Sequence, residues 1–129
     1  LTGYCDWNIV LDSIGGPNHV NNFAGAQVMV DYQNDVIYYT PYYYVLKQFS
    51  RSMRPGDVAL QVDYPATMKT GADCETQDIF LCAVEKADGS YAINILNMGP
   101  ETTLPVQLGN HYAKVNLPAS SVQTIIVKL

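Results

Sequence analysis

The spacing of apolar and polar residues along the first part of the chain predicts a strand, a long loop and a hairpin. Residues 5–11 form a nearly continuous strand-favouring run, which is typical of a strand buried on both faces of a parallel sheet. The next stretch is rich in glycine, proline and asparagine, and these residue types favour a loop. Two further strand-like runs, at 27–31 and 36–39, flank a polar segment at 33–35, which predicts a hairpin turn.

Residues 41–53 follow a helical period instead. Thr40 and Pro41 are typical of an N-cap and a first-turn proline. Apolar side chains then recur at helical spacing, while polar ones fill the other face. The apolar set is Tyr42, Val45, Leu46, Phe49 and Met53. The pattern predicts an amphipathic helix that ends at Pro55 and Gly56, with Tyr42 packing the helix against its neighbours.

From residue 57 onward the period changes from helical to strand-like. Short β candidates lie at 58–64, 79–85, 91–97, 104–108, 112–117 and 122–128, separated by turn residues. The Asp88-Gly89 pair between the second and third runs is the strongest hairpin signal in the chain. Short antiparallel strands at this spacing predict a β-sandwich. The polar segment at 69–77 is predicted to be a surface loop.

Length and charge narrow the class of protein. A chain of 129 residues, 48% of them apolar, can bury one domain-sized core, whereas a complete (β/α)8 barrel needs about 250 residues. Seven basic against twelve acidic residues give a net charge of -5, and no basic residues cluster with aromatics, so we expect no nucleic-acid partner. No apolar run approaches the roughly 20 residues that cross a bilayer, so we expect no transmembrane segment.

The cysteines and histidines predict neither a metal site nor a disulfide framework. Cys5, Cys74 and Cys82 are scattered, and together with two histidines they lack a zinc-ligand spacing. Cys74 and Cys82 lie close enough in sequence to bridge across a turn, but we favour free thiols. No metal or organic cofactor is implied.

A set of motifs in the first 57 residues resembles a known enzyme family. In order they are D-W-N, G-G-P-N, N-F, V-D, Y-x-x-P-x-Y-Y and F-S-x-x-x-x-P-G. Together they resemble the C-terminal part of glycoside hydrolase family 30, the glucosylceramidase-like retaining β-glycosidases. Beyond residue 57 the resemblance is one of pattern. It implies a β-rich chain in which residues 1–53 are the C-terminal piece of a (β/α)8 catalytic barrel and residues 54–129 form an antiparallel β-sandwich.

The resemblance also assigns the elements of the barrel piece. It implies that residues 6–11 are the eighth barrel strand, 12–24 its loop and 41–53 the closing helix, with the other seven strands absent from this chain. The family's catalytic glutamates come from the fourth and seventh strands, so no residue here corresponds to either. Glu75, Glu85 and Glu101 are interpreted as surface charges, and neither Asp6 nor Asp12 is assigned a catalytic role.

Three residues are candidates for substrate binding, and the resemblance places all of them around a sugar pocket. Trp7 is implied to form a pocket wall, since an indole face stacks well on the C–H face of a pyranose; the alternative is a buried core tryptophan. Asn22 and Phe23 correspond to the loop that borders the pocket mouth. The Asn22 amide either binds a sugar hydroxyl or caps the turn.

Two functional hypotheses follow. The first is the C-terminal portion of a retaining β-glycosidase acting on glucosylceramide-like or other β-glucosides or β-xylosides, whose partners are this substrate and the missing N-terminal barrel portion. The 129-residue chain alone is then predicted to be inactive. The alternative is a noncatalytic carbohydrate- or protein-binding β-sandwich module. The resemblance favours a secreted, periplasmic or lysosomal location, although the chain has no Asn-x-Ser/Thr sequon.

Overall fold

A computed structural model describes residues 3–18, 20–21, 23–64 and 78–129. Within these ranges it contains nine strands and one helix. The chain divides into two compact units, Leu1–Lys47 and Gln48–Leu129. Each unit has its own sheets, and they are described in turn.

The first unit contains a small mixed sheet. Its strands are β1 (Val10–Asp12), β2 (Val28–Asp31) and β3 (Val36–Tyr39), in the order β1-β2-β3. β1 pairs with β2 in parallel and β2 with β3 antiparallel. In the turn between β2 and β3, the Asp31 carboxylate accepts the backbone N–H groups of Gln33 and Asn34, both at 3.1 Å. The predicted hairpin is confirmed.

β1 is shorter and lies later in the chain than the strand predicted at 6–11, so that prediction is wrong in its bounds. The parallel register joins Val10 to Val28 and ends at Asp12 opposite Val30. Before it, the only backbone bond to β2 runs from the N–H of Val28 to the carbonyl of Ile9, at 3.0 Å, among the described residues. A strand needs a paired neighbour as well as apolar residues, and apart from this bond the described residues provide no pairing partner for the segment before Val10.

Helix α1 (Pro41–Ser52) begins and ends almost where its period predicts. The Thr40 carbonyl and hydroxyl oxygens accept the backbone N–H of Tyr43, at 3.0 and 3.4 Å. After the helix, the Asp57 carboxylate accepts the N–H of Arg54 at 2.8 Å, and Gly56 takes a positive φ of 95°. Glycine adopts this backbone conformation more readily than other residues, which lets the chain turn after the helix.

The second unit is a sandwich of two antiparallel sheets. The larger contains β4 (Val58–Leu60), β5 (Ile79–Glu85), β6 (Tyr91–Asn97) and β9 (Ser121–Val127), in the order β4-β5-β6-β9. The smaller consists of β7 (Thr102–Leu108) and β8 (His111–Leu117), with Pro105 opposite Lys114. The predicted hairpin at Asp88-Gly89 joins β5 to β6, with Gly89 at a φ of 77°.

The core of this unit lies between its two sheets. Ile93 and Ile95 from β6 pack with Leu104 from β7 and Leu117 from β8. Ile93 and Ile95 are two positions apart, as expected of side chains on the inner face of one strand. β4 stops at Leu60 rather than at the predicted residue 64, and the predicted surface loop at 69–77 lies outside the described residues.

The buried side chain of Asn97 bonds to both loops that connect the larger sheet with the smaller one, β6–β7 and β8–β9. The side chain of Asn97 is 1% exposed, and its amide N–H groups donate to the carbonyls of Pro100 at 2.9 Å and Pro118 at 2.8 Å. Its side-chain oxygen accepts the N–H of Gly99 at 3.0 Å. Asn97 thus satisfies backbone groups of both loops at once.

We expect Asn97→Ala to lower the free energy of unfolding by about 2–3 kcal/mol, because it removes three hydrogen bonds from a buried side chain to partly buried backbone groups. Urea unfolding of the chain followed by circular dichroism measures this. The control is Asn116→Ala, which removes an exposed side chain bonded to Thr103 at 3.0 Å and should change the free energy of unfolding by at most about 0.5 kcal/mol. Equal losses in the two variants would contradict the bridging role.

Candidate functional site

The loop that leaves β1 is folded back on itself by Asp12. Its carboxylate oxygen Oδ1 accepts the backbone N–H of Ile14 at 3.0 Å and that of Gly16 at 2.6 Å. Its own N–H donates to the carbonyl of Gly16 at 2.7 Å. Short side chains with a free oxygen commonly organise turns in this way. Asp12 therefore stabilises the fold of this loop.

At Gly15 the beginning of this loop passes close to its end. It takes a positive φ of 80°, and a Cβ atom built on it would lie 2.8 Å from the backbone nitrogen of Ala24 and 2.9 Å from the Cα of Phe23. Both the conformation and the close approach require glycine. The Gly-Gly-Pro motif thus has a physical reason, and it brings the backbone of Phe23 against the start of the loop.

The predicted substrate-binding residues Trp7 and Phe23 lie on different segments of the first unit. The side chain of Trp7, which precedes β1, is 84% exposed, and that of Phe23, in the loop, is 77% exposed. The described residues therefore bury neither ring. Asn22 lies outside the described residues. Several large apolar side chains of this unit are exposed, and Trp7 and Phe23 are the most exposed of those described. Both are free to contact a ligand or another part of a larger protein.

Asp6, directly before Trp7, lies in a hydrogen-bond network that sequence reasoning missed. Its oxygen Oδ2 accepts the Gln27 amide at 2.5 Å, and its Oδ1 accepts the Tyr4 hydroxyl at 3.3 Å. The Tyr4 and Tyr42 hydroxyl oxygens are 2.6 Å apart. The residues span 38 positions of sequence, so no local period could reveal them. Tyr42, predicted only to pack, also contributes a hydroxyl to this network.

The network shifts the pKa values of its members. The backbone N–H of Trp7 is the main group that holds the pKa of Asp6 below its usual range, and the side chains of Tyr42, Gln27 and Tyr4 act in the same direction. The hydrogen bond to Tyr4 raises the pKa of Tyr42, with a smaller contribution from Asp6. Asp6 therefore stays ionised to lower pH than an ordinary aspartate, and Tyr42 stays protonated.

The remaining candidates for chemistry lie apart from this site. Glu85 and Glu101 are exposed at a strand end and a loop, and Glu75 lies outside the described residues. Cys5 and Cys82 are free thiols in the described chain. In that same part, no group of three or more histidine, cysteine, aspartate or glutamate residues is placed to hold a metal ion. None of its helices is long and apolar enough to span a membrane.

Family models match both parts of the chain. Residues 1–53 match the glycosyl hydrolase family 30 TIM-barrel domain, and residues 67–125 match the glycosyl hydrolase family 30 beta sandwich domain. These matches define the class of protein as a glycosyl hydrolase family built from a barrel and a sandwich. The chain belongs to glycosyl hydrolase family 30 and comprises a TIM-barrel fragment followed by the β-sandwich. The family and the fold class predicted from the motifs are confirmed.

Curated relatives carry glucosylceramidase names. The lysosomal acid glucosylceramidase of Mus musculus is 34% identical over 103 residues, which cover 78% of this chain and 18% of that protein. The putative glucosylceramidase 4 of Caenorhabditis elegans is 25% identical over 131 residues, covering 98% of this chain and 24% of that protein. The chain spans about a quarter or less of the curated relatives it matches.

A solved structure agrees with this assignment. SrfJ from Salmonella typhimurium superposes with a TM-score of 0.79 at 28% sequence identity. The superposition covers 96% of this chain and 26% of that one. Nearly the whole chain therefore has a counterpart within a larger protein of known structure.

Proposed function

We propose that this chain supplies one wall of the sugar pocket and the accessory β-sandwich of a retaining β-glycosidase. The observation that carries the proposal is the consecutive match to the two family 30 domains, barrel first and sandwich second. On this proposal residues 1–53 are the end of the catalytic barrel and residues 54–129 the sandwich. The rest of the enzyme contributes the remaining barrel strands.

The exposure of two aromatic side chains supports the proposal that this chain forms a wall of the pocket. Trp7 and Phe23 present their side chains outward at 84% and 77% exposure, and large apolar rings are stabilised when a ligand or protein surface covers them. The C–H face of a pyranose offers a flat apolar surface for an indole. Trp7 then stacks on the sugar, Phe23 borders the pocket mouth, and Asn22 offers its amide to a sugar hydroxyl.

Both catalytic carboxyl groups come from elsewhere in the enzyme. Retaining hydrolysis needs a nucleophile and an acid/base about 5 Å apart on either side of the glycosidic bond. The described glutamates of this chain are exposed and lie outside the first unit, which supports a role in binding rather than in bond cleavage. Glucosylceramide-like β-glucosides are the proposed substrate class, supported by the glucosylceramidase names of the relatives.

The test uses the full-length protein that contains this chain. We expect it to hydrolyse an aryl β-glucoside, and glucosylceramide in detergent micelles, with the β-anomer of glucose appearing first in proton NMR spectra. Release of the α-anomer first would exclude the retaining mechanism. Binding of a glycan without turnover of any β-glycoside would instead favour the noncatalytic module.

A further inference from the structure

We infer that Asp6 is a positioning residue that fixes the orientation of the Trp7 indole through a network of Tyr4, Gln27 and Tyr42. The inference rests on the proposed pocket role of Trp7 and adds to it the means by which the ring is held. These residues, with Asp6 itself, are called the Asp6 network. All of its members lie in the first unit.

The segment that carries Trp7 has little regular structure to hold it. Trp7 lies before β1, where the described backbone has a bend rather than a strand. Its ring is 84% exposed, so packing by the described residues does not orient it. A stacking ring must nevertheless be held within about 0.5 Å and 10–20° of its productive position. Within the described part of this chain, hydrogen bonds of the neighbouring residues are what can hold the backbone at Trp7.

Asp6 provides that anchor from the neighbouring position. Its two carboxylate oxygens are bonded to different partners, Gln27 at 2.5 Å and Tyr4 at 3.3 Å. The Trp7 backbone N–H also interacts with this carboxylate and is the main cause of its lowered pKa. Holding both the carboxylate and the N–H of the next residue restricts the backbone at Asp6 and Trp7, and so limits the positions that the indole can reach.

The network ties this segment to two regular elements. Gln27 is 8% exposed and precedes β2, and its backbone carbonyl accepts the N–H and the hydroxyl of Thr40, both at 3.0 Å. Tyr42 belongs to the first turn of α1. The hydroxyl oxygens of Tyr4 and Tyr42 are 2.6 Å apart, so one donates to the other, and Tyr4 also donates to Asp6 at 3.3 Å. One carboxylate thus connects the Trp7 segment to both the sheet and the helix.

The test follows Trp7 directly in the full-length enzyme. The enzyme is labelled with 5-fluorotryptophan, and the fluorine NMR signal that disappears in Trp7→Phe identifies this ring. In Asp6→Asn we expect that signal to shift and broaden, the KM for an aryl β-glucoside to rise about tenfold, and kcat to stay within about threefold. Asp35→Asn is the matched control, since Asp35 is an exposed aspartate in the β2–β3 turn and should change neither quantity.

A second variant guards against a general loss of folding. Tyr42→Phe removes one hydroxyl and keeps the ring, and we expect the same fluorine shift with a KM increase of about threefold. An unchanged Trp7 signal and KM in both network variants, while Trp7→Ala weakens sugar binding, would overturn the positioning role and leave the proposed function standing. An unchanged KM in Trp7→Ala itself would overturn the pocket role and the positioning inference with it.

Discussion

We expect the isolated 129-residue chain to hydrolyse no β-glycoside, and the proposed full-length enzyme to hydrolyse β-glucosides. Retaining hydrolysis needs two carboxyl groups that flank the bond at about 5 Å from each other. Glu85 and Glu101 lie in the sandwich and are exposed. The family resemblance leads us to expect both catalytic glutamates outside this chain. Enzymes accelerate their reactions by at least about a millionfold, so the loss should reach the detection limit.

A fluorogenic aryl β-glucoside provides the assay, with the full-length enzyme purified in parallel as the positive control. A mock purification from the same strain carrying an empty vector shows how much activity comes from host glycosidases. Turnover that rises in proportion to the amount of pure chain, and is absent from the empty-vector preparation, would contradict the prediction. It would mean that this chain holds a catalytic pair of its own.

The second large effect is expected for Trp7→Ala in the full-length enzyme. Losing the aromatic face should lower kcat/KM for β-glucosides about 100-fold, which corresponds to about 2.7 kcal/mol of transition-state stabilisation. Because the ring is 84% exposed in this chain, truncating it leaves no cavity among the described residues. The melting temperature should therefore change little.

Steady-state kinetics and thermal unfolding together decide this prediction. Tyr112→Ala is the control, since Tyr112 is a 75% exposed aromatic residue in β8 of the sandwich and should change neither quantity. A large drop in melting temperature with unchanged kinetics in the folded fraction would show that Trp7 serves as a core residue of the complete enzyme.

Periodicity predicts most elements of this fold well. The bounds of β3, β5 and β6 agree with their apolar runs, and α1 is one residue shorter than predicted. The bounds predicted for the strand at 6–11 are wrong because a strand depends on a paired neighbour, which a local pattern does not contain. Here the pairing begins only at Val10, opposite Val28.

The candidate site is less accessible to sequence reasoning. Trp7 and Phe23 are identified by a family resemblance, and their exposure is known only from the structure. In the sequence, Asp6 is only the first residue of the D-W-N motif and has no assigned role, because its bonds to Gln27 and Tyr4 depend on side-chain geometry across separate elements. Contacts of this kind arise from tertiary packing, which neither period nor composition encodes.

The pairing of Pro105 with Lys114 in the small sheet has a consequence for self-association. The two strands β7 and β8 hydrogen-bond only to each other in the described part of the chain, so each presents an outer edge. An edge of free N–H and C=O groups is a template on which a strand of another molecule can add. Proline offers no N–H for such a bond, and a lysine charge on the neighbouring strand repels an identical edge. Pro105 and Lys114 therefore disfavour the pairing of this hairpin with a strand of another molecule.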